Sequence, residues 1–270
     1  MSKSIFETEE FRQRVKFLRE SQWWPRERLE SYQRQQLREL MSHVYERVPY
    51  YREVMKERCL SPKDFDQLED IRQMPLVTKA IIQEHSKEFL HEGIDPETLE
   101  RRSTGGSTGT PLTIYMDQLH IARDKANTEF YMNVAGLDIF SHKSVRLYGD
   151  KIAPDILQRE QYWYTVDDRK LVMSCYHINR DTVPLYVAEL NRFQPKYIHS
   201  RPSAIYPLAR LILELDLKPD FSLAGIFLDG EMLPDSQREL LEKAFKCRVF
   251  MIYGHTEGCA VGLSCSTSRD

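Results

Sequence analysis

The chain has 270 residues, 41% of them hydrophobic and 29% charged, with a formal net charge of −3. That length supports one large domain or two small ones around a sizeable core. The balance of charge gives no bulk case for nucleic acid as a partner. No run approaches the ~20 apolar residues that span a bilayer, and the start, Met1–Glu10, lacks the apolar core of a signal peptide. Five scattered cysteines fit a reducing compartment, and so the cytoplasm, better than a disulfide framework.

Residues 1–100 read as helices and connectors. An initial charged helix ends at Gln22-Trp23-Trp24-Pro25, the aromatic pair serving as a packing anchor. From Arg28 to about Lys56, Leu29, Leu37, Leu40, Met41, Val44 and Tyr45 recur at helical spacing, which predicts a helix packed on a later sheet. Pro49 breaks or kinks it. Ser61-Pro62, Met74-Pro75-Leu76 and Asp95-Pro96 mark turns, and Thr78 is placed to cap a short helix beginning near Lys79.

Arg101–Pro111 interrupts this pattern with Thr104, Gly105, Gly106, Ser107, Thr108, Gly109 and Thr110. Glycine lets a ligand approach the backbone closely, consecutive N–H groups can form an anion-binding concavity, and the hydroxyls add donors. A flexible Gly/Ser linker is the plainer reading. Against it, the stretch is short and leads into the β-prone run Leu112–Met116. It is no Walker loop, since no Gly-Lys-Ser/Thr follows, and no Gly-x-Gly-x-x-Gly occurs.

Residues 101–270 then alternate. Strands are predicted at Leu112–Met116, Ser144–Tyr148, Leu171–Cys175, Lys196–His199, Leu223–Leu228 and Arg248–Ile252. Helices are predicted at about Asp117–Val134, Thr182–Phe193, Pro202–Leu215 and Pro234–Phe245. This is an α/β fold: a helical N-terminal region followed by a mainly parallel sheet with flanking helices. Ligands on such sheets gather beyond the carboxyl ends of the strands. Two loops there stand out, Leu228-Asp229-Gly230-Glu231-Met232-Leu233 and Tyr253-Gly254-His255-Thr256-Glu257-Gly258. In the second, Tyr253 offers an aromatic face for a base, Gly254 allows close approach, Thr256 can donate to a phosphate oxygen, and Glu257 is a hard ligand for Mg²⁺. A strand-end turn with a solvated glutamate is the plainer alternative.

The glycine loop, Asp229-Gly-Glu-Met and Tyr253-Gly-His-Thr-Glu occur in the order used by acyl-adenylate-forming enzymes. The chain resembles the phenylacetate–coenzyme A ligase-like branch of that superfamily, including its capsule-polysaccharide biosynthesis relatives. Val48–Tyr51, Met74–Lys79 and Arg201–Tyr206 carry the likeness too, which runs from about Trp24 to Glu257. That branch often shows Gly-Tyr-Pro-Ser where this chain has Ser200-Arg-Pro-Ser203.

The resemblance implies the fold of the large N-terminal domain of such enzymes. It also implies a reaction: a small-molecule carboxylic acid and ATP give acyl-AMP, and the acyl group then passes to a thiol such as coenzyme A. By the same likeness, Ser107, Thr108 and Thr110 would hold the β- and γ-phosphates. Gly230, Glu231 and Met232 would border adenine, with Tyr253 stacked on it. Thr256 would contact the α-phosphate, Glu257 would hold Mg²⁺, and Tyr148, Gly149 and the Ser203 region would form the acyl pocket. Cys259 and Cys265 flank the motif without metal-ligand spacing, so unliganded thiols are expected.

Such enzymes continue past this point with a ribose-binding aspartate, a hinge and a mobile domain bearing a catalytic lysine, whereas this sequence ends at Asp270. It therefore reads as the front part of an adenylating enzyme, either a fragment, a truncated reading frame or one subunit of a split enzyme. Self-association or a separate C-terminal domain is expected. A non-catalytic remnant or interaction subunit that keeps the fold is the competing reading.

Overall fold

The computed structural model describes residues 5–104, 111–258 and 260–264. Contacts group the chain into two compact units, Met1–Ala126 and Asn127–Asp270. The first takes in more than the helical residues 1–100, because its core includes a later helix: Ala122 and Ala126 pack with Phe11 and Val15.

In the first unit, α1 (Glu9–Ser21) starts at Thr8, whose hydroxyl accepts from the Phe11 amide, and stops at Gln22 as expected. α2 (Arg26–Arg47) and α3 (Pro49–Glu57) are separated at Val48–Pro49, since proline cannot donate within a helix but suits its first turn. Met41 of α2 is buried against Met55 of α3 and Phe65, with Leu37, Val44 and Tyr45 packed around them. Leu29 and Leu40 of the predicted apolar face are instead exposed. α4 (Lys79–Glu84) is capped by the Thr78 hydroxyl, as predicted.

β1 (Glu100–Ser103), which the sequence pattern did not reveal, pairs antiparallel with β2 (Thr113–Met116) as a separate two-stranded sheet. The predicted strand at Leu112–Met116 is thus one arm of a hairpin and no member of the main sheet. α5 (Gln118–Val134) follows, and the two compact units divide within it.

The second unit is a seven-stranded sheet. Its strands are β3 (Ser144–Tyr148), β4 (Trp163–Asp167), β5 (Lys170–Ser174), β6 (Tyr197–Ser200), β7 (Gly225–Asp229), β8 (Val249–Gly254) and β9 (Val261–Leu263). Their order is β4-β5-β3-β6-β7-β8-β9. The five central strands are parallel, and β4 and β9 close the edges antiparallel. A short helix, α6 (Pro154–Leu157), follows β3. The crossovers are α7 (Val183–Phe193), α8 (Pro202–Glu214) and α9 (Asp235–Phe245).

From β5 onward each strand is added in the same direction. Right-handed crossovers then set α7, α8 and α9 on one face. Alternation along the strands supplies that face with Val145, Leu147, Ile198, Ile226, Leu228 and Val249, packed with Tyr186, Leu190, Ile205, Leu208 and Leu241. The intervening residues Tyr197, Phe227 and Phe250 form a second core on the other face with Met132 and Leu137.

Phe227 anchors that second core. It is fully buried, and its ring stacks on Phe250 with centroids 5.0 Å apart. Phe227→Ala is expected to lower unfolding free energy by roughly 3–5 kcal/mol in urea denaturation. A loss below about 1 kcal/mol would contradict a second packed face.

Candidate functional site

The sheet order contains a reversal. After β3 the chain builds β4 and β5 on one side, then crosses back to place β6 on the other side of β3. The loops leaving β3 and β6 therefore run to opposite sides of the seam, and on α/β sheets such a reversal is where a ligand crevice forms, beyond the carboxyl ends of the strands. Gly149, Cys175–His177, Arg201, Gly230–Met232 and Tyr253–Glu257 all lie at strand ends on this edge.

At the reversal the Ser200 hydroxyl is fully buried and donates to the Leu147 carbonyl at 2.6 Å, which ties β6 to β3. The Tyr148 phenol donates to the Ser200 carbonyl at 3.3 Å. His199 Nε2 lies 3.0 Å from Asp229 Oδ2, and the His199 ring meets the Tyr148 ring edge-on at 5.6 Å. Burial and the neighbouring Asp229 charge push the Tyr148 phenol well above the usual range. For Asp229 the largest influence is burial, which raises its pKa. The His199 hydrogen bond and charge, the Tyr148 phenol and Arg201 outweigh it and hold the carboxyl below the ordinary value of 3.8.

The next strand end carries the first of the two expected loops. Gly230 sits at φ +73°, a conformation that disfavours a side chain, and a Cβ there would come within 3.5 Å of Arg201 Nε. Glu231 is pinned. Its carboxylate accepts from the Ser203 amide at 2.8 Å and the Ser203 hydroxyl at 2.7 Å, so it caps the positive end of α8. Met232 is 92% exposed.

β8 lies directly beside β7, with Asp229 opposite Ile252, so the second loop leaves the sheet next to the first. Tyr253 is 71% exposed although it is a large aromatic. Gly254 pairs with Val261 of β9, making Tyr253–Val261 a hairpin rather than the end of the sheet. Within it the Gly258 amide donates to the His255 carbonyl, and His255 Nδ1 lies 3.2 Å from Glu257 Oε2. Thr256 sits half-buried in that turn.

In the first unit, one residue of the glycine loop, Thr104, is described. Thr104 closes its base: its amide donates to the Leu112 carbonyl at 3.0 Å, and its hydroxyl accepts from the Leu112 amide at 3.0 Å. Gly105, Gly106, Ser107, Thr108, Gly109 and Thr110 lie outside the described residues, as do Cys259 and Cys265. A separate groove of about 540 Å³ in the first unit is lined by Leu40, Val44, Met74 and Leu76. It is almost wholly apolar, and Tyr51 and Arg72 are the polar side chains along it.

The structure thus brings Gly230, Glu231, Met232, Tyr253, Gly254, His255, Thr256 and Glu257 to adjacent strand ends. His199 and Asp229 were not singled out as site residues. Their signal was a histidine and an aspartate closing consecutive buried strands, at positions where a core strand needs neither.

No family model matches the sequence. Protein CapK of Staphylococcus aureus is 29% identical over 227 residues, which are 84% of this chain and 50% of CapK. A phenylacetate–coenzyme A ligase of Thermus thermophilus is 24% identical over 250 residues, covering 89% of this chain and 53% of the ligase. The chain is a relative of CapK and of the phenylacetate–coenzyme A ligases. It spans about half the length of these relatives.

Solved structures agree on the fold. An open conformation of 2-hydroxyisobutyryl-CoA ligase, in complex with 2-HIB-AMP and CoA, superposes with a TM-score of 0.62 at 19% identity. The match covers 84% of this chain and 54% of that one. The same ligase in the postadenylation state, in complex with R3-HIB-AMP, gives a TM-score of 0.63 at 19% identity, covering 86% of this chain and 49% of that one. The α/β architecture expected for an adenylate-forming enzyme is the one observed.

A pH dependence follows from the depressed Asp229 carboxyl. Its stabilising contribution is present above the ordinary pKa of 3.8 and is lost as the pH falls through the lower folded-state value. Asp229→Asn removes it. The wild type should therefore exceed the variant in urea midpoint just above pH 3.8, with the gap closing below. A gap unchanged through that range would contradict an ionised, His199-held Asp229.

Proposed function

We propose that this chain is the nucleotide- and acid-binding part of an ATP-dependent enzyme that joins a carboxylic acid to AMP and passes the acyl group to a thiol such as coenzyme A. One observation carries the reading. Two loops with the Asp-Gly-Glu-Met and Tyr-Gly-His-Thr-Glu sequences leave neighbouring parallel strands side by side, with Tyr253 and Met232 exposed. Large apolar side chains displayed at the ligand-binding edge of a sheet suit the faces of a purine. The relatedness to phenylacetate–coenzyme A ligases supports the same assignment.

The carboxylate nucleophile is ionised at neutral pH and needs no general base. What the reaction requires is alignment against the α-phosphorus and relief of charge on the departing pyrophosphate. In this reading Gly230–Met232 line the adenine, and Glu231 holds that loop in place through Ser203. Tyr253 stacks on the base and Thr256 donates to the α-phosphate. The hairpin from Gly254 to Gly258 lets the backbone approach the nucleotide, and His255 orients the Glu257 carboxylate.

Magnesium fits this donor set as a companion of the nucleotide, because it favours one or two carboxylates together with phosphate oxygens. Glu257 would be its protein ligand, and the ion would offset phosphate charge. No described group of three or more His, Cys, Asp or Glu residues is placed to hold an ion without the nucleotide. The acid is proposed to be aromatic or connected with surface polysaccharide assembly, and the setting to be the cytoplasm. No helix among the described residues is long and apolar enough to cross a membrane. The remaining half of the relatives' length would supply the closing domain, in the same or another polypeptide.

Calorimetric titration separates these roles. Tyr253→Ala is expected to weaken AMP binding about tenfold or more, the usual worth of an aromatic stack on a base. Glu257→Gln should weaken Mg·ATP while leaving AMP without magnesium unchanged. Wild-type affinities in both variants would remove the assignment.

A further inference from the structure

Arg201 opens α8 at the carboxyl end of β6, beside the reversal in strand order. Its guanidinium lies over the Tyr148 ring at 5.7 Å, and its Nε borders the space above Gly230. The acidic side chains at this edge already have partners. Asp229 is held by His199 at 3.0 Å, Asp150 by Arg146 at 3.1 Å, and Glu231 by the amide and hydroxyl of Ser203. Among the described residues no carboxylate lies within ion-pair distance of Arg201. The side chain is exposed, so its charge, which also acts on the nearby Asp229, is open to a ligand.

Tyr148 supplies an aromatic face beneath Arg201, and at the neighbouring strand end Tyr176 is 70% exposed, with its phenol oxygen 2.6 Å from where a Cβ on Gly149 would stand. An exposed arginine backed by an aromatic face and making no direct ion pair is a recognition device for a planar anion. The reacting carboxylate is a poor candidate for that anion. Pairing it with a guanidinium would stabilise the ground state of the nucleophile and slow its attack.

We propose that Arg201 is a specificity-determining residue that binds a second negative group on the acid substrate, so that the preferred acids are dianions such as dicarboxylates. The inference rests on the acid-activating reading above and names the substrate class of that same crevice. The His199–Asp229 contact supports it: Asp229 takes its 3.0 Å side-chain partner from His199 and makes no ion pair with Arg201.

The test uses the chain as it stands, with acids matched in shape: isophthalate against benzoate, and succinate against butyrate. Each is titrated calorimetrically in the presence of saturating AMP. Wild type should bind the dianion of each pair about tenfold more tightly. Arg201→Gln should abolish the preference with AMP affinity unchanged, and Arg201→Lys should keep part of it. Lys243→Gln, a charge change on the exposed side of α9, should leave the preference intact. Equal binding of monoanions and dianions by wild type, no acid binding, or a preference that survives in Arg201→Gln would each overturn the inference. So would loss of AMP affinity in Arg201→Gln with acid preference kept, which would assign the guanidinium to the nucleotide. Failure of wild type to bind AMP would instead count against the acid-activating reading itself, and the inference would fall with it.

Discussion

The seam between β3 and β6 is the constraint on which the second unit depends. Strands are added to one side of β3 first and to the other side afterwards, so two chain segments with no local connection must pair in parallel. Backbone hydrogen bonds alone would allow the register to slip. The Ser200 hydroxyl, fully buried and bonded to the Leu147 carbonyl at 2.6 Å, marks one register, because a shift would break that cross-strand bond. With this register in place, Tyr148, His199, Arg201 and Asp229 arrive together from three separate stretches of the sequence. The same seam that closes the core on one face opens the crevice at the strand ends.

A gradient of order runs outward from that seam. Asp229 is half-buried and paired, Glu231 is pinned to the start of α8, and Met232 and Tyr253 stand in solvent. The inner groups are fixed by hydrogen bonds that cost little to maintain once folding has occurred. The outer groups expose apolar surface that folding alone does not repay. A site that positions a nucleotide before chemistry needs both: rigid supports beneath, and uncovered faces above.

Much of the parallel sheet was legible because its strands are nearly continuous apolar runs between amphipathic helices, as at Leu223–Leu228 and Arg248–Ile252. The edges were not. β4 alternates weakly and exposes Thr165, Val166 and Asp167, while β9 is three residues long, so neither carries a periodic signal. β1 consists of Glu100-Arg-Arg-Ser, a charged run that no propensity would place in a sheet; its pairing with β2 is what makes it a strand. On the helical side, spacing alone gave Leu29 and Leu40 to the core, but they stand exposed in the structure. The motif loops were legible as motifs, whereas the His199–Asp229 contact depends on strand pairing that spacing cannot express.

The central claim is that Gly230–Met232 and Tyr253–Glu257 form one nucleotide-binding edge. Photo-crosslinking with 8-azido-ATP, followed by peptide mapping, tests it most directly, because it reports position and not only affinity. The account predicts labelling confined to the peptides that contain Met232 or Tyr253, and its suppression by excess AMP. Labelling spread over other surfaces, or labelling that excess AMP leaves unchanged, would contradict it.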